Sequence, residues 1–459
     1  MTMMSYRRTL PLLLVLVLLV TSVLAGARPA RADACPTSAE LPVPGAEMQK
    51  ITCVEDLSVS ALLPLGLTVA TDWFGLNATG TLNPRAGPGI QIDGYFPDTP
   101  PSAPYAPNSF NGWNHDAQFV IRLPRNWNGK LVIAPSPGNR RQYSSDVIIS
   151  DYVLAKGYAY ASTDKGNVGA SFYLDGERPG DAIAEWHHRV GELTRAVREV
   201  IHCHYGRYPE RTYLFGISNG GYQVRYALER DPRLYDGGVD WEGTLFTRDG
   251  PNLFTYLPTA LAQFPIYANP ASTPEQVEAA RQAMLAAGFA PGSEFLWPVH
   301  NQVYWGLTQR IYRLEFDPDY TGLDAEYDYA SRPDEVKDAV GRVSLTGRIR
   351  RPMITVHGTL DALLPPATNA DPYVALIPPR RRERLHRYYL VENGNHVDGF
   401  LRGFEIAGLP IFPDDLEPLL PCARAAFEAL EQWVEGHVSP PPGGLITRDK
   451  VDLNSCQLQ

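Results

Sequence analysis

The first feature of this 459-residue chain with chemistry in it is a serine set among glycines. Gly216-Ile217-Ser218-Asn219-Gly220-Gly221 follows the apolar run Tyr213-Leu214-Phe215 and precedes a helical run from Tyr222 to Glu229. That is the strand, turn and helix setting in which G-x-S-x-G holds a serine hydroxyl on a strained turn. Side chains at 216 and 220 would collide with the neighbouring strand and helix, so glycine answers a steric demand. A serine hydroxyl is a weak nucleophile near neutral pH; it needs a base, and the base needs an orienting partner. Asp361 stands in a turn after the β-rich run 353–357, and His396 stands in the loop Glu392-Asn393-Gly394-Asn395-His396 after the run 385–391. All three fall just beyond an expected strand, on the carboxyl edge where such sheets build sites. The expected chemistry is acyl transfer, with Ser218 as nucleophile, His396 as base and Asp361 as the acid that orients it. The oxyanion needs two N–H donors. We expect one from Asn219, next after the nucleophile, and the other from Pro135-Ser136-Pro137-Gly138-Asn139. Neither proline can donate, so Gly138 is the choice, with Ser136 and Asn139 behind it.

Other polar clusters are weaker candidates. Asp371 and Asp398 are less well placed carboxylates than Asp361, and His357 precedes the acid and so breaks the chain order. His187-His188 and His202-Cys203-His204 belong to a long helix or its end and lack H-E-x-x-H spacing. Asp317, Asp319, Asp324 and Asp328 do not fit a calcium loop of the EF-hand kind and read as a solvated acidic loop. Arg380, Arg381, Arg382, Arg384 and Arg387 read as a solvated edge. No metal and no cofactor is expected. Asp240, Trp241 and Glu242 follow the next strand and are candidates to line the pocket.

The elements that must position these residues show in the hydrophobic spacing. From 116 to 229 short β-rich runs alternate with helical periodicity, the pattern of a parallel sheet flanked by helices. Strands are expected at 117–123, 130–134, 158–162 and 211–215, and a helix around Val147, Ile148, Val153 and Leu154 ending at Gly157. Ile183, Trp186, Val190, Leu193, Val197, Val200 and Ile201 recur at three- and four-residue steps, which predicts a helix over 181–202. The rhythm then breaks for about a hundred residues rich in aromatics and proline, with one helix at 273–287 capped by Thr273 ahead of Pro274. We therefore expect an α/β fold whose core, 35–242 and 346–438, is interrupted by an inserted cap at 243–345 and followed by a tail at 439–459. Strands at 353–357 and 385–391 and a helix at 416–436 complete the core. Within the insertion Phe254, Tyr256, Trp297, Tyr304, Trp305 and Tyr312 are candidates for an apolar pocket, although such aromatics more often form core.

Arg7 and Arg8 precede an apolar run at 10–25, with Ala30, Ala32 and Ala34 after it, the order of a secretory signal peptide over 1–34. With 41 Lys and Arg against 51 Asp and Glu, the chain is a poor partner for nucleic acid or other anionic surfaces. Removing the leader, which holds four arginines and one aspartate, deepens that imbalance. No membrane span is expected after cleavage. Export permits disulfides: Cys35 and Cys53 are expected to pair, two of Cys203, Cys422 and Cys456 to pair, and one to stay free.

At these residues the chain resembles the α/β-hydrolase superfamily, and within it the secreted tannase and feruloyl esterase-like group and the 3-hydroxybutyrate oligomer hydrolases. The likeness rests on the order of Ser218, Asp361 and His396, the run Tyr158-Ala159-Tyr160-Ala161-Ser162-Thr163-Asp164-Lys165-Gly166-Asn167, Ser218-Asn219-Gly220-Gly221, and the insertion before the acid. It implies a mostly parallel sheet with a lid and a secreted or periplasmic serine esterase acting on a small-molecule or oligomeric ester. Tannase-like enzymes typically carry a cysteine before the nucleophile and another after the histidine; here Ile217 and Val397 stand there, which weakens the implied tannin or ferulate specificity, while Ser218-Asn219-Gly220-Gly221 tilts the resemblance toward hydroxyalkanoate substrates. A serine peptidase with the same triad and a non-catalytic binding protein on the same fold are the alternatives. Oligomeric state is not legible.

Overall fold

A computed structural model describes residues 35–99, 108–402 and 411–458. The expected signal peptide lies outside them. Ten strands make one sheet: β1 (Met48–Val54), β2 (Gly89–Tyr95), β3 (Gln118–Pro124), β4 (Lys130–Ile133), β5 (Ala159–Thr163), β6 (Arg211–Ile217), β7 (Gly237–Trp241), β8 (Met353–Gly358), β9 (His386–Val391) and β10 (Gly444–Ile446). Their order across the sheet is β1-β2-β3-β5-β4-β6-β7-β8-β9-β10. β1, β2, β3 and β5 pair antiparallel, and every pairing from β5 to β10 is parallel. The central parallel strands, from β5 to β8 across the sheet, are buried on both faces, which is why Leu131-Val132-Ile133 and Tyr213-Leu214-Phe215, all buried, read as unbroken apolar runs. The α/β class and the mostly parallel sheet flanked by helices agree with the expectation.

Helix α1 (Asp181–Tyr205) packs on β3 and β5, α2 (Asn219–Arg230) on β6 and β7. The seven periodic residues of α1 are all buried. This helix runs past its expected end to Gly206, whose left-handed backbone (φ 76°) stops it. Between β7 and β8 the chain carries α3 (Leu257–Tyr267), α4 (Pro274–Ala286), α5 (Gly306–Phe316) and α6 (Asp334–Arg342). Thr273 caps α4 as expected: its hydroxyl accepts the Gln276 N–H and Gln276 accepts the Thr273 N–H. Helix α7 (Leu420–Gly436) packs on β7 and β8. It starts later than the expected 416, because the Asp398 carboxylate accepts the N–H groups of Leu419 and Leu420 at 2.7 and 2.9 Å and so fixes the first turn.

Three regions differ from the sequence expectation. β1 and β2 add an antiparallel edge whose side-chain pattern is too irregular to announce it. The segment after Pro442 is a structural member, since β10 pairs with β9 and Cys456 is bonded to Cys422 in α7. Asp240 and Trp241 lie inside β7, and only Glu242 follows it. Cys35 and Cys53 are both disulfide-bonded, and Cys203 is free and exposed. No helix among the described residues is long and apolar enough to cross a membrane.

Candidate active site

The parallel neighbours β6, β7, β8 and β9 bring their carboxyl ends to one rim, and the candidate residues sit on the turns that leave it. Ser218 joins β6 to α2 with φ 59° and ψ −122°, a backbone that non-glycine residues rarely adopt. The Trp241 carbonyl accepts its N–H at 2.8 Å. Both flanking glycines are forced. A Cβ at 216 would lie 2.4 Å from the Gly220 carbonyl oxygen, and one at 220 would lie 2.4 Å from that of Pro135. The collision foreseen with a strand is thus a collision with the loop after β4, which the glycine lets approach the serine.

The rim also gathers the other two residues. His396 Nε2 stands 3.1 Å from Ser218 Oγ, and Nδ1 stands 2.8 Å from Asp361 Oδ2. Asp361 is fully buried. Its Oδ1 accepts the N–H groups of Leu363 and Leu364, each at 2.8 Å, and the His357 ring reaches Oδ2 at 3.2 Å. Burial alone would raise this carboxyl, but the His396 ring and the hydrogen bonds from His357 and His396 outweigh it and hold Asp361 well below the usual carboxylate range. The acid is therefore a fixed anion. His357, the rival histidine, stands behind it with Nε2 also 2.8 Å from the Leu364 carbonyl, which requires an N–H at that nitrogen.

Glu242 is a residue whose place the sequence only hinted at. It is buried, accepts the Gly358 N–H at 2.9 Å, and places Oε2 3.7 Å from His396 Nδ1 with no hydrogen bond to that oxygen. Burial and the carboxylates of Asp361, Asp398 and Asp240 push it well above the usual range, against the Gly358 hydrogen bond. Two buried carboxyls this close cannot both ionise, so the pair holds one charge, on Asp361. Glu242, Asp361 and His396 are also the only three potential metal-ligand side chains that converge among the described residues; a cation there would compete with the His396–Asp361 hydrogen bond.

Linkage gives Glu242 a measurable signature. A carboxyl raised in the fold stabilises fully below its unfolded value, about 4.3, and that contribution is lost as pH climbs toward the raised value. Glu242→Gln has no proton to lose. Its unfolding free energy relative to the parent should therefore increase as pH climbs above about 4.3, by up to about 1.4 kcal/mol per pH unit until the raised value is passed; a pH-independent difference would mean that Glu242 is ionised throughout.

The loop after β4 faces the serine. The N–H groups of Ser136, Gly138 and Asn139 meet no acceptor among the described residues, and Gly138 has φ 50°. Asn219 opens α2, where backbone N–H groups lack intrahelical acceptors; its side chain donates to the Tyr312 hydroxyl at 2.6 Å and accepts from Thr244 at 3.1 Å. A second unforeseen residue braces the loop. Lys165 is fully buried, and its ammonium donates to the Ser136 carbonyl and hydroxyl at 2.9 and 2.5 Å and to the Gly138 carbonyl at 3.1 Å. Burial pushes Lys165 down to about 7, opposed by Asp164.

Ser218, His396, Asn219 and Gly138 open into a cavity of about 320 Å³. Of the six aromatics considered for this pocket, only Tyr304 and Tyr312 line it. Phe254, Tyr256, Trp297 and Trp305 pack into the insertion's own aromatic core, for example Tyr267 against Trp297 and Phe264 against Trp305. Two of them also reach the acid turn: the Trp305 N–H donates to the Ala362 carbonyl at 2.7 Å and the Tyr256 hydroxyl to that of Leu363 at 2.9 Å. Ile217 and Val397 are lining residues.

The remaining candidates have other partners. Asp240 binds Arg225 and the Gly243 N–H, away from the cavity, and Asp371 accepts from the Tyr388 hydroxyl. His187 uses both ring nitrogens, on Gln223 and Tyr222, and burial pushes it down to about 3. Asp317 is held by Tyr327 and Arg332, and Asp324 by Arg313.

Known proteins resemble this chain in sequence and in fold. Residues 110–287 match the tannase and feruloyl esterase family and residues 320–446 the 3HB-oligomer hydrolase family, as the resemblance in the sequence implied. Feruloyl esterase B from Aspergillus oryzae superposes with a TM-score of 0.56 at 14% identity, covering 88% of this chain and 90% of that one. Tannin acyl hydrolase from Aspergillus niger gives 0.56 at 15% identity, over 93% and 91%. These likenesses establish the α/β-hydrolase fold. Among curated sequences, mono(2-hydroxyethyl) terephthalate hydrolase of Piscinibacter sakaiensis is 25% identical over 147 residues, 28% of this chain and 24% of that protein. D-(-)-3-hydroxybutyrate oligomer hydrolase of Azoarcus sp. (strain BH72) is 32% identical over 115 residues, 24% of this chain and 16% of that protein. The chain thus spans a quarter or less of the curated relatives it matches.

Proposed function

We propose that this α/β-hydrolase-fold chain, a relative of the tannase and feruloyl esterase and 3HB-oligomer hydrolase families, is an exported carboxylic ester hydrolase working through an acyl-enzyme. Ser218 attacks the ester carbonyl. His396 takes the hydroxyl proton at Nε2 and returns it to the leaving alcohol, and Asp361 holds the Nδ1–H tautomer and stabilises the imidazolium. Water, activated by the same imidazole, then frees the acid and restores Ser218. The N–H groups of Asn219 and Gly138 stabilise the oxyanion. The substrate is a hydroxyalkanoate oligomer or an aromatic ester, and the insertion acts as the lid that shapes its pocket. One observation carries the reading: a single imidazole lies within hydrogen-bond reach of a strained serine hydroxyl and of a buried anionic carboxylate.

Hydrolysis of a p-nitrophenyl ester set against a peptide anilide tests it. An esterase cleaves the ester far faster; preference for the anilide would make the chain a peptidase. A panel of hydroxybutyrate oligomers, methyl ferulate and gallate esters then separates the substrate classes.

The lysine brace has its own expected outcome. Lys165→Met should lower kcat/KM about 10-fold, since one loop donor loses its positioning. If the ammonium is what holds the loop, the parent loses activity as pH rises through about 7, and this limb is missing from the pH profile of Lys165→Met. An unchanged alkaline limb in the variant would assign it to another group.

A further inference from the structure

The rim of the sheet opposite Ser218 is strongly basic. Segments 230–233, 348–351 and 380–387 hold two, three and five arginines, with Asp231 and Glu383 as their only acids. They lead into β7, β8 and β9, so they crowd the amino ends of strands whose carboxyl ends carry the catalytic turns. Sequence alone reads 380–387 as a solvated edge; the fold joins it to two basic segments far away in the chain. The Arg350 N–H donates to the Leu228 carbonyl at 3.2 Å, Arg351 Nε to that of Pro232 at 2.7 Å and Arg381 Nη1 to that of Ile349 at 3.2 Å. None of the ten arginines pairs with a carboxylate among the described residues, whereas Arg248, Arg281, Arg313 and Arg332 each hold one. Where the ten have partners these are neutral: Arg382 donates to the Ile377 carbonyl at 3.0 Å and Arg387 to that of His386 at 2.8 Å. Glu229, next to the first segment, spends its oxygens on Thr346, Gly347 and Tyr373. The unbalanced field is felt at His386, which burial, and then Arg225, Arg382 and Arg387, push down to about 3. The net charge of −10 disfavours anionic partners on average, but charges are screened beyond about 8 Å at physiological salt. An anionic surface touching this rim meets the arginines.

The cations in these segments are all arginine, whose planar fork matches phosphate oxygens bidentately and sheds water more readily than an ammonium. They spread over the ends of three adjacent strands, a width of about 10 Å, instead of following one line. Leu376, 40% exposed, stands beside them just ahead of the short helix Pro379–Leu385. Phosphates arrayed in a plane, with room for an apolar side chain between them, are what a bilayer surface offers. We propose that this rim is a peripheral membrane-docking face that binds the headgroups of anionic phospholipids. β8, with six residues, is about 20 Å long, so docking there leaves the rim that carries Ser218 turned away from the bilayer. The chain is thereby held at a membrane while its cavity stays open to dissolved ligands. This does not rest on the hydrolase reading.

The test is cosedimentation with vesicles of phosphatidylglycerol and phosphatidylcholine in equal parts, set against vesicles of phosphatidylcholine alone. It uses the chain without residues 1–34, so that the apolar leader does not itself insert. The parent should partition at least about tenfold more strongly onto the anionic vesicles, and added salt should reduce that preference. Arg348, Arg350, Arg380 and Arg384 are exposed, and their side chains meet no acceptor among the described residues, so Arg348→Gln, Arg350→Gln, Arg380→Gln and Arg384→Gln combined should leave the fold intact. At roughly fivefold per arginine, that variant should bind the anionic vesicles at least about 100-fold more weakly. A control with the same loss of charge, Arg85→Gln, Arg178→Gln, Arg195→Gln and Arg310→Gln, changes exposed arginines outside the rim and should bind within about threefold of the parent, since distant charges are screened. Equal binding of the parent to both vesicle types overturns the proposal. So does a rim variant that binds like the parent, or a control as weak as the rim variant. Retention on heparin without vesicle binding assigns the arginines to a linear polyanion and overturns the membrane assignment too.

Discussion

Ser218→Ala is expected to lower kcat for ester hydrolysis by about 10⁶-fold, roughly 8 kcal/mol of barrier. The loss is large because the serine oxygen is the atom that becomes covalently bonded, and neither neighbour can substitute for it. Asn219 points its side chain at Tyr312, and Ile217 is apolar. The substitution removes one oxygen from a half-buried turn, so the fold should persist with a Tm close to that of the parent. Labelling by a fluorophosphonate probe should vanish with the activity, and mass spectrometry should map the adduct of the parent to the peptide carrying Ser218. Residual hydrolysis within about tenfold of the parent would remove Ser218 from the mechanism, and failure of the parent itself to label would favour a binding protein on a hydrolase scaffold.

Asp361→Asn is expected to cost about 10⁴-fold in kcat, as loss of the orienting carboxylate does in serine hydrolases with this arrangement. The asparagine amide would present N–H groups or a neutral oxygen to His396 Nδ1, and the imidazolium would lose its counter-charge. What remains should depend on Glu242. The Asp361 charge is a cause of the raised Glu242 carboxyl; once it is gone, Glu242 ionises at lower pH, 3.7 Å from Nδ1. Residual activity of Asp361→Asn should therefore increase with pH, and Asp361→Asn combined with Glu242→Gln should lie at least about tenfold lower still, a non-additivity characteristic of side chains sharing one proton. A double variant no worse than Asp361→Asn would confine Glu242 to a packing role.

Much of this was legible in residue order because the elements concerned are driven by local rules. The strand at β6, the elbow glycines and the periodicity of α1 each carry their reason within a dozen residues. The turn bearing Asp361 follows an apolar run buried throughout as a parallel strand, and the loop bearing His396 follows a β-rich run of mixed burial. The pieces that escaped depend on pairing across the chain. β1 and β2 become strands because β3 offers an edge, and β10 because β9 does. Glu242 stood out in the sequence only as one of three candidates to line the pocket, and Lys165 only as part of a run carrying the family resemblance; a desolvated neighbourhood gives both their roles. The spread of the aromatics was undecidable for the same reason, since Trp305 and Tyr304 are adjacent in sequence but one is core and the other lines the cavity. A clue existed for Lys165, in the Thr163-Asp164-Lys165-Gly166 turn at the end of a buried strand, where a charge needs a partner.

The two hydrogen bonds from Trp305 and Tyr256 to the carbonyls beside Asp361 couple what are usually treated as separable modules. A segment that merely roofed the pocket could be traded for another, leaving the engine beneath untouched. If residues 243–345 form the proposed lid, that lid is also a buttress. Any transplanted or drifting version of residues 243–345 that does not rebuild both contacts will slacken the turn that aims the imidazole, so new selectivity acquired this way arrives with a penalty in turnover. Directed evolution on this scaffold should therefore search the cavity-facing positions of that segment while holding its two struts constant.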